Sequence, residues 1–518
     1  MSNQQTFTYQ TRFDAPKEQD AALTAYAALY GTVERNLFAA LAAGGDASSL
    51  KSAFLRRHGI TARQYNAVAI NLKGKMSSVK EQRAVLINEL DARVKKARKV
   101  IAKSKNPNKR HQKKRRLSNL LNRLAGLETE KKAEAVNICF GGNKLFRKQF
   151  YLEENGYSSH AEWKHDWVKA RSNQFFVIGS KDETAGCQGC VAGVQPDGTI
   201  TLRLRLPDAL ASKGKYLVVP DVHFSYGQDV IEAAILTRQA ISYRFMRDEK
   251  GWRVFVSTSY QAPERISDRG RGVIGIDINA GHIAAGETDR FGNFINAARY
   301  DCVTYGKSSG QAKAIIGDAV KQVVRDASMA GKPVAIEDID LKKHKAEMEN
   351  ESPRACRGLS SFAYMAIQNT IRAACYRAGI EVIDVHPAYT STIGAVNYAQ
   401  KYGISVHQGA ALAIARRSMG YSERPSVQTA VTPVCNGGHV TFPLPARNRG
   451  KHVWSFWAKV RMKLKAAHAA HARLGYPKPL RLYYSPAPGS RRALPESPRH
   501  VNRQQNCSAD VLDDILVQ

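Results

Sequence analysis

Two apolar runs in this chain each end on an acid. Val273-Ile274-Gly275-Ile276 leads into Asp277, and Pro333-Val334-Ala335-Ile336 leads into Glu337 and Asp338. A carboxylate in a buried strand is costly unless it is paired or bound to a cation. The two acids lie 60 positions apart. That interval holds two hairpin strands and a helix, so the acids can occupy neighbouring strands. Such a pair suits two hard cations about 4 Å apart, one activating water and one steadying the leaving oxygen of a phosphodiester. Oxygen ligands favour Mg²⁺, with Mn²⁺ as the alternative. Taken singly, Asp277 reads as a turn cap and Glu337 as an edge residue. The repeated order of strand and then acid points to metal.

A third ligand is expected from a later helix, Ser405-Val406-His407-Gln408-Gly409-Ala410-Ala411 onward. Small residues at 409 to 411 let that helix pack close to a sheet. His407, in its first turn, is the candidate; a lone His there is otherwise a structural residue. Imidazole is softer than carboxylate and shifts the preference somewhat toward Mn²⁺. Asp384 is a weaker substitute.

The elements that position these residues are readable from pattern. Residues 272 to 295 form strand runs bounded by Gly, Asn and Asp turns, an antiparallel meander. A helix is expected from about 308 to 331, then the Glu337 strand, a polar insertion, a helix from about 361 to 378, a strand over 380 to 385, and a helix over 405 to 419. Ahead of them, 6 to 13 alternates as an edge strand and 18 to 99 runs helical. Residues 174 to 258 are β-rich and are expected to form a barrel with a basic face at Arg203 and Arg205. The segment 261 to 272 reads as a linker. After Tyr421 the chain becomes Pro- and Gly-rich, broken by one basic aromatic helix over 452 to 474. From Pro477 the tail is expected to be poorly ordered.

Composition restricts the partners. There are 78 Lys and Arg against 45 Asp and Glu, a formal net charge of +33. A field of that size attracts polyanions and releases their counterions on binding. The acid-free run Arg93 to Arg116 contains Lys95, Lys96, Arg98, Lys113, Lys114, Arg115 and Arg116. It reads as a phosphate-tracking arm; the alternative is a solvated helix face with a disordered loop at Asn106-Pro107-Asn108. Residues 138 to 171 interleave aromatics with Arg147 and Lys148. That mixture serves equally as a base-stacking surface or as ordinary core. No apolar run approaches the roughly 18 residues of a spanning helix, and the start is polar, so neither membrane nor signal peptide is expected. The eight cysteines are scattered, which suits a reducing cytoplasm. Only Cys187 and Cys190 have metal-like spacing, and a β-hairpin is the preferred reading there.

Here the motifs support a resemblance. IGIDIN, AIEDID, the Tyr389-Thr390-Ser391 stretch and the Ala-Ala helix resemble the RuvC-like, RNase H-like domain of the TnpB family. These are transposon-encoded RNA-guided nucleases related to compact type V CRISPR effectors. The resemblance covers 272 to 420, extends in layout over 6 to 271, and fades beyond 425. It implies a multidomain α/β protein with an RNase H-like mixed sheet and flanking helices. The implied parts are a first wedge strand (1–17), a helical recognition lobe (18–172), a wedge β-barrel (173–262), a RuvC-like nuclease domain (270–424) and a basic C-terminal extension (425–518). The implied partners are a guide RNA and a double-stranded DNA target beside a short motif read by the protein. Asp277 corresponds to the first acid and Glu337 to the second. His407 stands where the third acid usually lies. RuvC-type resolvases resemble this helix too, and some have His at that first position; their acid three residues on would fall at Ala410.

The family commonly places two CxxC pairs between the Tyr-Thr-Ser stretch and the third acid. Residues 389 to 407 contain no cysteine. No structural zinc is expected, and order there must come from Tyr398, Tyr402 and Ile404. Arg354 and Arg357 fall where a gating loop would lie and are candidates for the scissile phosphate. The expected activity is RNA-guided DNA cleavage in a bacterial, nucleoid-associated setting, with the oligomeric state left open. The rivals are a non-cleaving RNA-guided binder, suggested by His407, and a DNA-only transposase or resolvase.

Overall fold

The computed structural model describes residues 4–338, 361–425, 428–434, 438–448 and 450–473. The chain divides between Gln261 and Ala262 into two compact units. It is a mixed α/β protein with several sheets and many helices. Among the described residues, no helix is long and apolar enough to cross a membrane.

The first unit opens with β1 (Gln4–Phe13), followed by α1 (Lys17–Ala42), α2 (Ala47–His58), α3 (Ala62–Lys103) and α4 (Pro107–Lys132). Two short helices follow, α5 (Asn143–Lys148) and α6 (His160–Ala170). Then come β2 (Gln174–Val177), β3 (Cys190–Val194), β4 (Ile200–Arg205), β5 (Tyr216–Val222), α7 (Gln228–Leu236), β6 (Ile241–Asp248) and β7 (Gly251–Gln261). β1 is an edge strand, as its alternation suggests, and pairs along its whole length with β7.

The β-rich stretch is not a closed barrel. It forms two sheets, ordered β1-β7-β6-β2 and β3-β4-β5. Closure needs a ladder between sheet edges. At the β5 edge, Pro220 lacks an N–H and Asp221 sits at φ 56, so that strand cannot extend a regular ladder there. One apolar core spans α1, α2, the start of α3 and both sheets. At its centre Tyr26 stacks on Phe175, with ring centroids 4.1 Å apart.

The far half of α3 pairs with α4 over a separate small core of Ile87, Leu90, Val94, Leu120 and Leu124. The suggested loop at Asn106-Pro107-Asn108 is instead a helix start. Asn106 caps α4 by accepting from the Lys109 amide at 3.1 Å. Pro107 takes the first helical position, where a missing N–H costs nothing.

The second unit is built on β8 (Ile274–Ile278), β9 (His282–Thr288), β10 (Phe294–Asp301), β11 (Val334–Glu337) and β12 (Val382–Val385). Their order is β10-β9-β8-β11-β12. The first three strands are an antiparallel meander, and β11 runs parallel to both β8 and β12. Parallel neighbours require a crossover. α8 (Ser309–Ala330) supplies one, started by a Ser308 capping box and ended at Gly331; α9 (Ser361–Arg377) lies in the next.

Strand side chains alternate between faces. Ile274 and Ile276 meet α8 and α9 in one core. Gly275 and Asp277 belong to the opposite face, covered by α11 (Val406–Ser418). Between β12 and α11 lies α10 (Thr390–Ile393), continuing as a π turn over Gly394–Ala399. Beyond α11, β13 (Thr429–Pro433) and β14 (His439–Pro443) form a hairpin, and α12 covers Val453–Arg473. Ala430, Phe442, Phe456, Trp457 and Val460 pack on Ile393, Val396, Tyr398 and Leu412. Tyr402 and Ile404 pack against the same cluster. The described residues from 428 to 473 are therefore a cap on the segment ahead of α11.

Candidate active site

Asp277 sits near the end of the central strand β8 and is 9% exposed. Its Oδ2 accepts from Asn279 Nδ2 at 3.0 Å. His407 reaches it from the first turn of α11, and its Nδ1 donates to the same oxygen at 3.0 Å. A carboxylate oxygen accepts, so Nδ1 carries the shared proton in this contact.

This contact requires α11 to lie almost on the sheet. A Cβ at Gly275 would come within 2.0 Å of the Ala411 carbonyl oxygen, and one at Gly286 within 2.6 Å of the Leu412 amide. Two glycines on neighbouring strands and the small face of α11 thus bring His407 to Asp277. A capping box between Ser405 and Gln408 fixes the helix start two residues ahead of the imidazole.

Glu337 ends β11 beside the central strand. Its carbonyl accepts from Gln368 Nε2 at 3.1 Å and from the Tyr364 hydroxyl at 3.4 Å, both on α9. Its carboxylate accepts from the Thr390 hydroxyl at the start of α10. Burial first, and then the charge of Asp277, push the Glu337 carboxyl up to about 7; Thr390 and Arg417 act the other way. Arg417 on α11 donates to the carbonyls of His386 and Ala388, holding the loop that ends at Thr390.

His282, at the start of β9, packs edge-on against His407 with centroids 5.1 Å apart. It is buried, and that burial, with smaller contributions from Arg299 and His407, lowers its pKa to about 4. Asp384 is exposed and pairs with Arg372 instead of turning toward the acids.

The three sequence-selected residues thus come from β8, β11 and α11. Asp277 and His407 touch, and the charges of Asp277 and Glu337 interact. Among the described residues, no three His, Cys, Asp or Glu side chains already converge as a metal shell. The donor chemistry nevertheless fits a hard divalent ion. Burial, and after it the charge of Asp277, raises the Glu337 carboxyl to about 7, and a cation between the two would offset both. Sequence reasoning gave neither His282 nor Thr390 a site role, although Tyr389-Thr390-Ser391 carries part of the resemblance. The only signal for His282 was its place at the head of a buried run. Thr390 lies 53 positions from its partner, and no spacing rule links them.

The basic candidates lie in the first unit. Lys95, Arg98, Lys114, Arg115 and Arg116 are exposed on the α3–α4 hairpin, with Lys96 and Lys113 half-buried. Arg147 is exposed on α5, and Lys148 lies over the Tyr157 ring. In the same segment Trp163 is buried, whereas Phe150 and Tyr151 are exposed. Arg203 is exposed over Tyr216, its guanidinium 4.9 Å from the ring centre. Arg205 bonds to Asp208 and to the carbonyls of Leu206 and Lys215, clamping its own loop. Cys187 and Cys190 are both buried, and Cys190 opens β3. Arg354 and Arg357 fall outside the described residues.

No protein-family model and no curated protein sequence matches the chain. Among solved structures, Thermus thermophilus RuvC in complex with Holliday junction substrate is similar at 18% identity and a TM-score of 0.20, covering 28% of this chain and 88% of RuvC. A second structure of Thermus thermophilus RuvC gives 18% identity and a TM-score of 0.20, over 29% and 96%. The Cas12i1 R-loop complex after target DNA cleavage is similar at 9% identity and a TM-score of 0.15, over 76% of this chain and 46% of Cas12i1.

Proposed function

We propose that the second unit is an RNase H-like, RuvC-type nuclease domain and that the chain is an RNA-guided DNA endonuclease. The observation that carries the nuclease reading is the pairing of β8 and β11. These adjacent parallel strands present Asp277 and Glu337 at their ends, close enough for one charge to act on the other. The order β10-β9-β8-β11-β12 is the one an RNase H-like sheet requires. RNA guidance is supported by the family resemblance of the motifs, the +33 charge and the basic helical hairpin. In this reading the helices of the first unit form a recognition lobe and its sheets a wedge. Lys95 to Arg98, Lys113 to Arg116, Arg147, Lys148 and Arg203 hold phosphates, as would Arg354 and Arg357.

Asp277 and Glu337 would hold Mg²⁺ or Mn²⁺, which when bound supplies water activation and neutralises charge building on the phosphate; His407, the third candidate, would join them by exchanging its bond to Asp277 for the metal. The chain's own residues prepare that site. Asn279 and His407 orient Asp277, while Thr390, Gln368 and Tyr364 orient Glu337. His282 stays neutral and presses the His407 ring into place. With its carboxyl near 7, Glu337 exchanges its proton readily as the site fills.

A second reading, an RNA-guided binder that does not cut, is favoured by one observation: an imidazole stands where the family has a third acid and bonds directly to Asp277. One experiment separates the two. The chain is expressed with its native downstream DNA, the copurifying RNA is sequenced, and a plasmid library with randomised flanks is treated with Mg²⁺ or Mn²⁺. Discrete RNA with guided cuts that vanish in Asp277→Ala supports the endonuclease. Discrete RNA and specific binding without cuts establishes the binder. Absence of a discrete RNA sinks guidance and leaves a DNA-only enzyme.

A further inference from the structure

The loop after β12 carries an aromatic pair that the proposed chemistry leaves unused. The ring of His386 lies against Trp454, at the start of α12, with centroids 4.6 Å apart and planes at 30°. His452 meets the same indole edge-on at 5.0 Å. Trp454 is nevertheless 38% exposed, unlike Phe456 and Trp457, which α12 buries. A large aromatic kept at the surface on a histidine support is arranged for something planar.

Its position ties it to the acids. Glu337 pairs with Val385 in the β11–β12 register, and His386 is the next residue. Strand spacing and rise put the His386 Cα on the order of 6 Å from that of Glu337. The loop is fixed at both ends. Arg417 holds the carbonyls of His386 and Ala388, and Thr390 bonds the Glu337 carboxylate.

Its surroundings select the ligand. α12 contains no acid along its length. Arg461 and Lys465 follow Trp454 by two and three turns on one line of the helix, and both are exposed. Phe456, Trp457 and Val460 face the core instead. A π-surface followed by a row of cations matches an unpaired nucleobase with its following phosphates. We propose that Trp454, backed by His386, stacks on an unpaired base of the DNA strand presented to Asp277 and Glu337, while Arg461 and Lys465 hold that strand's backbone. The inference rests on the nuclease reading of the acids. Trp454 is a positioning residue, because it meets a base and not the reacting phosphate.

The test uses the full chain carrying Asp277→Ala, so that bound strands survive. Binding of a fluorescein-labelled oligothymidylate is followed by anisotropy at several salt concentrations, with oligouridylate in parallel. A strand bearing one photoreactive 5-iodouracil is then crosslinked and the attached peptide identified. Trp454→Ala should weaken binding roughly 5- to 100-fold with the salt slope unchanged. Trp454→Phe should restore most of the affinity, and the crosslink should map to Trp454 or His386. Unchanged affinity in Trp454→Ala, or a crosslink confined to the first unit, overturns the platform. Should the alanine variant melt early, the phenylalanine variant and the crosslink decide. Stronger binding of uridylate makes the bound strand RNA and overturns the DNA assignment. Cleavage of a guide-matched duplex by the Asp277 protein loaded with its copurifying RNA and Mg²⁺ is read separately. Its absence beside an intact crosslink refutes the nuclease reading and spares the stack.

Discussion

At the scale of single residues, the site turns on a buried carboxyl, Glu337, whose charge is made costly first by burial and then by Asp277. Glu337 titrates near 7 in the folded chain against about 4.5 free. An acid whose pKa is raised on folding contributes full stability below about 4.5 and loses it as pH climbs through 7. The metal-free protein should therefore be weaker at pH 8 than the same chain carrying Glu337→Gln, by about 2–3 kcal/mol. Thermal melts in a chelator should show it, and Mg²⁺ should narrow the gap by strengthening only the native chain. Equal melts at pH 8 would remove the argument for a Glu337 carboxyl raised by burial and by Asp277. His282 works in the opposite sense. Its folded value of about 4 lies below the ordinary 6.5, so its contribution is whole above 6.5 and disappears as pH falls through 4. Thr390 lowers the Glu337 pKa by donating to its charged form. Thr390→Val should shift the pH midpoint of cleavage upward and cut the rate at pH 7 by roughly tenfold; a pH–rate profile reads both. An unshifted midpoint would make Thr390 a mere helix start.

The element that sets the geometry is α11, and its closeness to the sheet is the condition for everything at the site. Gly275→Ala puts a Cβ into the Ala411 carbonyl, which neither backbone can avoid. Overpacking of that kind costs about 1–3 kcal/mol or more, measurable by denaturant titration. The larger effect should be on cleavage, since His407 moves with the helix. Trp457 anchors the cap on the other side. It is 1% exposed and donates to the Glu423 carbonyl. Trp457→Ala should cost about 3–5 kcal/mol and reduce activity, although the residue touches no part of the site. Much of this architecture was legible. Apolar runs ending in acids marked β8 and β11, and a Ser308 cap with Gly331 marked the crossover helix. Ser405 ahead of small residues marked α11. The hairpin β13–β14 was not legible, because Pro and Gly dominate the composition around two five-residue strands. Nor was the π turn, whose form follows from packing on α11. Barrel closure was over-read, since alternation marks strands but says nothing of which edges meet.

Over the whole molecule, charge is the dominant property. On the proposed function, counterion release should make the affinity for nucleic acid fall with salt at about 0.7 to 0.9 logarithmic units per phosphate contact. Replacing Lys113, Lys114, Arg115 and Arg116 with Gln should reduce that slope by up to about 3, leaving the fold unchanged because the hairpin core lies on other residues. Titrations of RNA binding between low and moderate salt provide the test. A constant slope would return the run to a solvated helix face. Legibility at this scale was uneven. The +33 charge leads to the expectation of a polyanionic partner, but the shared core of α1, α2 and both sheets joins pieces that composition alone separates.

The cap of β13, β14 and α12 has one more implication. The segment between Tyr389 and Ser405 is held by indole, phenyl and aliphatic contacts and has no thiolate to bind an ion. Apolar cohesion fades on cooling and under chaotropes, whereas a thiolate–metal staple answers to chelation, acid and oxidation. The order of this candidate site is thus governed by temperature and solvent. Cold or mild urea should loosen the Thr390 end of the site before the sheet itself gives way.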